Sequence, residues 1–426
     1  MKYPSLIIVL ALAVGAFLIP APDAPEPGPP AGVEDPPVSI CAIEEGSGRT
    51  TEVVILSTVD GPTRLTLFAS GESAGSIGQS TGASGSVTIP VVNVAAVGTV
   101  GGLIEMPASS SAAGTIVVGA ESMSAESCAA IPTQQSFITG GSTIGGQPFE
   151  LHLMNPYAGE AVVELVVQSE AGIESNDRFE SVVVPARSST VVDFAELIPG
   201  RETLSIAIET VKGRVLGVGR QGIDGESAVW KAVEGSQDWY LPIPKGGGSK
   251  RLVIGTPSNV EVEYQIDYYG PEGLEEAYLA GTLSPRGQNS FDLAAITEET
   301  AGVRIISTGP VVPILWINSE AGFAITTASA VEATRWFLPG AGALAGGQAR
   351  AVILSVGIDG AIVSVRSLRE QSLVRSIDLP ADGVVEIGLE IADGYLIESS
   401  GPIVAMWVAR RDNAGIAAMG VPILDG

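Results

Sequence analysis

From Val260 to Tyr268 apolar and polar side chains take turns, with Val260, Val262, Tyr264, Ile266 and Tyr268 set between Glu261, Glu263, Gln265 and Asp267. Successive side chains of a strand point to opposite faces, so this period of two predicts a strand with one buried face. Ala161, Val163, Leu165 and Val167 alternate likewise with Val162, Glu164, Val166 and Gln168, and Leu204, Ile206 and Ile208 with Ser205, Ala207 and Glu209. Turn residues at Asn155-Pro156, Asp224-Gly225, Asp359-Gly360 and Asn413-Ala414-Gly415 separate such runs. The pattern is one of many short strands.

The pattern also repeats. Trp239-Tyr240-Leu241-Pro242 returns as Trp336-Phe337-Leu338-Pro339, with a weaker Ser136-Phe137-Ile138 upstream. Val191-Val192-Asp193-Phe194-Ala195-Glu196-Leu197 is answered by Ser290-Phe291-Asp292-Leu293-Ala294-Ala295-Ile296 and by Val384-Val385-Glu386-Ile387, with Pro90-Val91-Val92-Asn93-Val94 in the same phase. Lys212-Gly213-Arg214-Val215-Leu216, Gly309-Pro310-Val311-Val312 and Gly401-Pro402-Ile403-Val404 align in turn. A period of about 95 residues marks a tandem array. Four β units follow, at 39–133, 134–236, 237–334 and 335–426. Turn signals every 8 to 12 residues or so fit an all-β chain of four tandem antiparallel repeats, each an Ig-like β-sandwich. The alternative is a closed β-propeller with two blades per repeat.

The N-terminus differs in kind. Residues 1–20 carry Lys2 and then the uncharged run Ser5 to Pro20, the form of a signal or signal-anchor segment. Residues 21–38 are a Pro-rich stalk with scattered acids, which favours an extended spacer. With Lys2 on the cytoplasmic side, the remainder is placed outside, either anchored in the membrane by the N-terminus or secreted after cleavage. An exported chain with two cysteines can oxidise them, so Cys41 and Cys128 are expected to form a disulfide; the alternative is two buried thiols.

Charge narrows the partners. A formal net charge of -26, from 22 Lys and Arg against 48 Asp and Glu, repels a phosphate backbone and excludes nucleic acid. The same acidity leaves the N-terminal segment as the chain's one contact with a membrane.

The export signal, the Pro-rich stalk, Cys41 opening the first unit, and the Trp-aromatic-Leu-Pro starts followed by Asn155-Pro156 and a Val-Asp-Leu-like strand resemble a family of exported actinobacterial proteins classed only as a domain of unknown function. The resemblance spans residues 41–426 and implies a cell-envelope or secreted location. It implies no site residue. The pattern weakens in the third unit, where Gly255-Thr256-Pro257 stands for Asn-Pro, and in the first, which lacks the Trp start.

Candidate chemistry is sparse. Nucleophilic triads need an imidazole beside the nucleophile, and the single histidine, His152, reads as an exposed strand residue beside Glu150, opposite Phe149, Leu151 and Leu153. No nucleophile elbow, phosphate loop or dinucleotide fingerprint occurs in a strand-turn-helix context. The repeated acid Asp193, Asp292 and Glu386 is the best carboxylate candidate for glycoside hydrolysis, yet its recurrence argues for a structural role in a turn. Calcium would need a cluster of oxygen ligands; Asp224-Gly225 and Asp359-Gly360 read instead as hairpin turns. Trp239, Trp316, Trp336 and Trp407 recur in apolar strands and read as packing, while Trp230 breaks the repeat and is expected to be exposed. The expectation is a non-enzymatic exported envelope scaffold or binding protein, without cofactor, whose partner is an extracellular protein or glycan. The alternative is a carbohydrate-binding or glycan-acting protein.

Overall fold

The computed structural model describes residues 38–424 apart from 46–49, 58, 70–71, 82–84, 92–97, 109–110, 120–122, 130–131, 247, 294–298, 320–321, 341–347, 390–393 and 412–413. The signal or anchor segment, and the stalk up to its last residue, lie outside the described residues. Among the described residues no helix is long and apolar enough to cross a membrane. Strand makes up 71% of the structure and helix 3%, so the chain is all-β.

The strands fall into consecutive segments. The first holds β1 (Val38–Glu45), β2 (Thr50–Ser57), β3 (Gly61–Ala69), β4 (Glu72–Thr81), β5 (Gly85–Pro90), β6 (Gly98–Glu105), β7 (Ala112–Val118) and β8 (Met123–Ser127). The second holds β9 (Gln135–Gly141), β10 (Phe149–Asn155), β11 (Ala161–Ser169), β12 (Gly172–Glu174), β13 (Val182–Val184), β14 (Ser188–Asp193), β15 (Leu204–Lys212), β16 (Leu216–Ile223) and β17 (Glu226–Lys231). The third holds β18 (Ser236–Ile243), β19 (Ser249–Gly255), β20 (Val262–Gly270), β21 (Gly273–Leu283), β22 (Gln288–Asp292), β23 (Ala301–Ser319) and β24 (Gly322–Thr327). The fourth holds β25 (Ala333–Pro339), β26 (Gln348–Ser355), β27 (Ala361–Ser367), β28 (Leu373–Leu379), β29 (Val384–Leu389), β30 (Gly394–Arg411), β31 (Ala414–Met419) and β32 (Val421–Pro422).

All described strand pairs are antiparallel. The first segment makes sheets ordered β1-β6-β3-β4 and β5-β2-β7-β8, and the second β12-β11-β15-β9 and β14-β10-β16-β17. In the third, β23 is long enough to serve both layers: its first half pairs with β18 and β20, its second with β19 and β24. β30 does the same with β25 and β27, then β26 and β31. The strands switch layer beside Gly309-Pro310 and Gly401-Pro402, where a proline interrupts the ladder; in the second segment Gly213 and Arg214 split the equivalent run into β15 and β16. Among the described residues no sheet closes into a barrel and no propeller is present. Blades are meanders of sequence neighbours, whereas these sheets join strands far apart in sequence, such as β2 with β7.

One strand at each segment's end is an inner edge. β8 packs on β17, β17 on β24, β24 on β31 and β31 on β8, so the four contacts close a cycle. Exposed edges invite pairing with other chains, and here neighbours cover them. Lys231 N donates to Glu126 Oε2 (3.1 Å), Phe323 N to Glu226 Oε2 (2.5 Å) and Met419 N to Thr326 Oγ1 (3.1 Å). β8 and β24 are buried along their whole length, which the period of two does not express.

The sheets carry the segments' cores, and several outer faces are apolar too. Ile40 from the first segment packs with Met154, Leu216, Val218 and Val229 from the second. The second segment's core continues into Val253, Ile314, Trp316, Phe323 and Ile325 of the third. Gly101 lies against Met154, where an added Cβ would meet its sulfur at 2.9 Å and the methionine side chain would have to shift. In β20 the ladder shifts between Ile266 and Tyr268, and the alternation expected there changes phase. Asp267 is buried, accepting from Gln265 Nε2 (2.6 Å) and Ala277 N (2.8 Å), and Val260 is exposed before the strand begins.

Candidate functional site

Cys41 and Cys128 are bonded, as expected. Cys41 sits on β1 and Cys128 just beyond β8, beside a bridge between Ile40 and Ala129. The same bridge recurs between Phe137 and Val233 and between Tyr240 and Ser329. Register therefore places Ile138 with Ala232, and Leu241 with Ala328, where the first segment has its disulfide. The bond replaces a contact between one large and one small apolar side chain.

His152 corrects the sequence reading. It is 2% exposed, because the outer face of β10 is covered by β6 of the first segment rather than by water. Its Nε2 lies 3.0 Å from Glu150 Oε2, the same oxygen that accepts from Arg220 Nη1 at 3.0 Å. These partners hold the Glu150 carboxyl down at about 2, the His152 hydrogen bond acting most and burial opposing it. The group ties β10 to β16, and among the described residues no nucleophile joins it.

The repeated acids do different work. Asp193 caps the single helical turn Phe194–Leu197, its Oδ1 accepting from Ala195 N (2.9 Å) and Glu196 N (3.2 Å). Asp292 stands opposite Arg251 in the ladder. Glu386 does not occupy the equivalent place: register puts Gly388 opposite Arg350, so the sequence alignment slips by two residues there. Glu386 accepts instead from Lys245 N, Thr300 Oγ1 and Arg350 Nη1. The acids do not converge.

Trp230 also overturns its reading. It is fully buried, its ring 5.8 Å from that of Phe149, and its Nε1 donates to Thr139 O (3.2 Å). Trp239, Trp316, Trp336 and Trp407 are buried as well. Asp224-Gly225 forms the two-residue hairpin between β16 and β17, with φ of 50° and 90°. Asp359-Gly360 lies between β26 and β27, which do not pair, so it is a turn between layers and not a hairpin. Among the described residues no group of three His, Cys, Asp or Glu is placed to hold a metal.

The roomiest cavity described, about 460 Å³, lies between the second and third segments. Glu209 reaches it from β15, Glu234 from the connection after β17, and Arg286 from the turn before β22. Arg286 Nη2 is 3.6 Å from Glu209 Oε1, and its buried Nη1 meets no partner among the described residues. The lining aromatic, Phe137, is 2% exposed and offers no ring face for a sugar. Sequence reasoning missed these three residues because they lie outside the repeated motifs and come from three separate elements.

The geometry thus defines a class: an antiparallel all-β protein of tandem sheets in which the recurring residues pack and the chemically capable ones are dispersed. Residues 105–324 match the Family of unknown function (DUF5719), and the chain belongs to that family. None of the curated proteins matches it. Among solved structures, a tetra-tandem repeat in the extending region of a large adhesion protein is 11% identical, with 86% of this chain and 94% of that chain covered, at a TM-score of 0.11. Salmonella alpha-2-macroglobulin reacted with methylamine is 10% identical, with 91% of this chain and 30% of that chain covered, at a TM-score of 0.12. Scores this low carry no conclusion about the present chain.

Proposed function

We propose that the chain is an exported, non-enzymatic scaffold or binding protein of the cell envelope, held by its N-terminal segment and built of four tandem Ig-like sandwich modules. The observation that carries this reading is the recurrence of one buried polar position in every segment. Ser57, Asn155 and Ser355 end β2, β10 and β26, Thr256 directly follows β19, and all four are at most 1% exposed. What recurs is architecture, and a catalytic group would be needed only once. The disulfide supports an oxidising compartment.

The test is fractionation of native cells with thiol labelling before and after reduction. The expected result is protein in the membrane or medium fraction, labelled at Cys41 and Cys128 only once reduced. Cytosolic protein with freely labelled thiols would reject the export reading. The cavity holding Glu209 and Glu234 favours the glycan-acting alternative, which predicts hydrolysis of an extracellular glycan that Glu209→Gln and Glu234→Gln abolish. The scaffold reading predicts no turnover by the unaltered chain.

A further inference from the structure

The chain has 22 Lys and Arg in all, yet four of them, Lys245, Lys250, Arg350 and Arg410, line one cavity of about 160 Å³ between the third and fourth segments. No described carboxylate lines it. Glu386 approaches from behind, engaged by Arg350, Lys245 N and Thr300 Oγ1. Lys245 and Arg410 are exposed and make no ion pair with a described residue.

Lys250 is the unusual member. It is 2% exposed, and among the described residues the one hydrogen bond of its Nζ, which carries three donors, runs to Gly246 O at 2.5 Å. Counting back from the recurring polar position, the other segments carry Thr51, Phe149 and Ala349 here, all buried. A lysine at a repeated core position is costly to fold unless something compensates its charge. Burial, with Arg350 close by, pulls its ammonium below the ordinary lysine range, against a smaller opposing effect of Glu386. Ser319, Gly322 and Gly415 add small residues to the lining and leave room for a compact guest.

We propose that this cavity binds a small oxyanion, a phosphate or carboxylate group, among the buried Lys250, the half-buried Arg350 and the exposed Lys245 and Arg410. In so acidic a chain, a local excess of positive charge concentrates anions where the rest of the surface repels them. The cavity is too small for a whole ligand of drug-like size, which fills about 300 Å³ or more. It fits a free anion or the charged end of a larger molecule such as an acidic sugar. The inference stands on the cavity alone and does not depend on the scaffold reading.

The test titrates the full chain with inorganic phosphate and, separately, with glucuronate, by calorimetry at constant ionic strength with chloride as the control. At least one anion is expected to bind saturably. Phosphate alone would assign a phosphate source, and glucuronate alone an acidic sugar. Lys250→Met is expected to weaken binding by about 10- to 100-fold, the loss of one charge-assisted hydrogen bond. Arg410→Gln, at an exposed position where folding is not at stake, is expected to weaken it by about 3- to 10-fold. Affinity is expected to fall as pH rises through the lowered Lys250 pKa, and not to fall in Lys250→Met. Absence of binding by either anion up to about 10 mM, or unchanged affinity in Arg410→Gln and a folded Lys250→Met, would overturn the proposal.

Discussion

β10 and β19 take matching places in the pairing of two successive segments, each between a strand that ends in Asp and the run that returns beside it, and they spend those places differently. β10 begins with Phe149, whose ring lies 5.3 Å from Phe194 and 5.8 Å from Trp230 and closes that end of the core. β19 has Lys250 there, with Leu293 in place of Phe194, and opens towards a cavity. One position later Glu150 faces His152 and Arg220, while Arg251 lies over the Trp316 ring at 4.5 Å. At the far end Asn155 and Thr256 both hold the following turn. The lesson is that these two strands share register and end polarity, while the positions facing a neighbouring segment differ.

The largest effect is expected where the aromatic plug is removed. Phe149→Ala deletes a fully buried ring between two others and should cost about 3 to 5 kcal/mol, read from urea unfolding. The cost should be large whether or not an anion is present, in contrast to Lys250→Met. A loss under about 1 kcal/mol would mean that β10 and β19 close their cores alike after all.

The next concerns the shared polar end. Asn155 Nδ2 donates to Gly159 O (2.7 Å), Val184 O (3.2 Å) and Pro185 O (3.1 Å), and its Oδ1 accepts from Tyr157 N (3.0 Å). Asn155→Ala leaves buried carbonyls unmet and should cost about 2 to 3 kcal/mol. Thr256 makes one donation, to Pro310 O (2.7 Å), and accepts from Ser258 N (3.1 Å), so Thr256→Val should cost about 1 to 2 kcal/mol. Equal losses would show that the two residues are interchangeable caps.

Much of this was legible in the sequence, and the failures share a cause. The alternation at Ala161 to Gln168, the repeated aromatic starts and the pairing of Cys41 with Cys128 all follow from rules that act within one segment. His152 was misread because whether an outer strand face meets water is decided by the neighbouring segment, and local periodicity is blind to that; Trp230 was misread because standing outside the repeat says nothing of exposure, and its ring stacks on Phe149 inside its own segment. Asp267 was misplaced because a bulge shifts the phase by one residue, and Glu386 because two residues of slip keep the same face and so preserve the hydrophobic pattern. Lys250 left a faint signal in Ser249-Lys250-Arg251, adjacent cations in a chain poor in them, but only the register shows that it occupies a core position.

The last comparison separates Glu150 from Arg251 by pH. The folded Glu150 carboxyl sits at about 2 against an ordinary 4.5, so its folded form binds fewer protons than the unfolded chain in between. Its contribution to stability is therefore complete above about pH 4.5 and is lost as pH falls towards 2. Discounted for its partial exposure, the loss should be on the order of 2 kcal/mol. Arg251 keeps its charge throughout that window, so the equivalent place in β19 is silent. Glu150→Gln should flatten the acid limb of stability against pH, measured by urea midpoints at about pH 5 and about pH 2.5, while Arg251→Gln should leave its slope unchanged. If the slope persists in Glu150→Gln, other carboxylates carry it, and the pairing of Glu150 with His152 and Arg220 is worth no more to the fold than the stacking of Arg251 on Trp316.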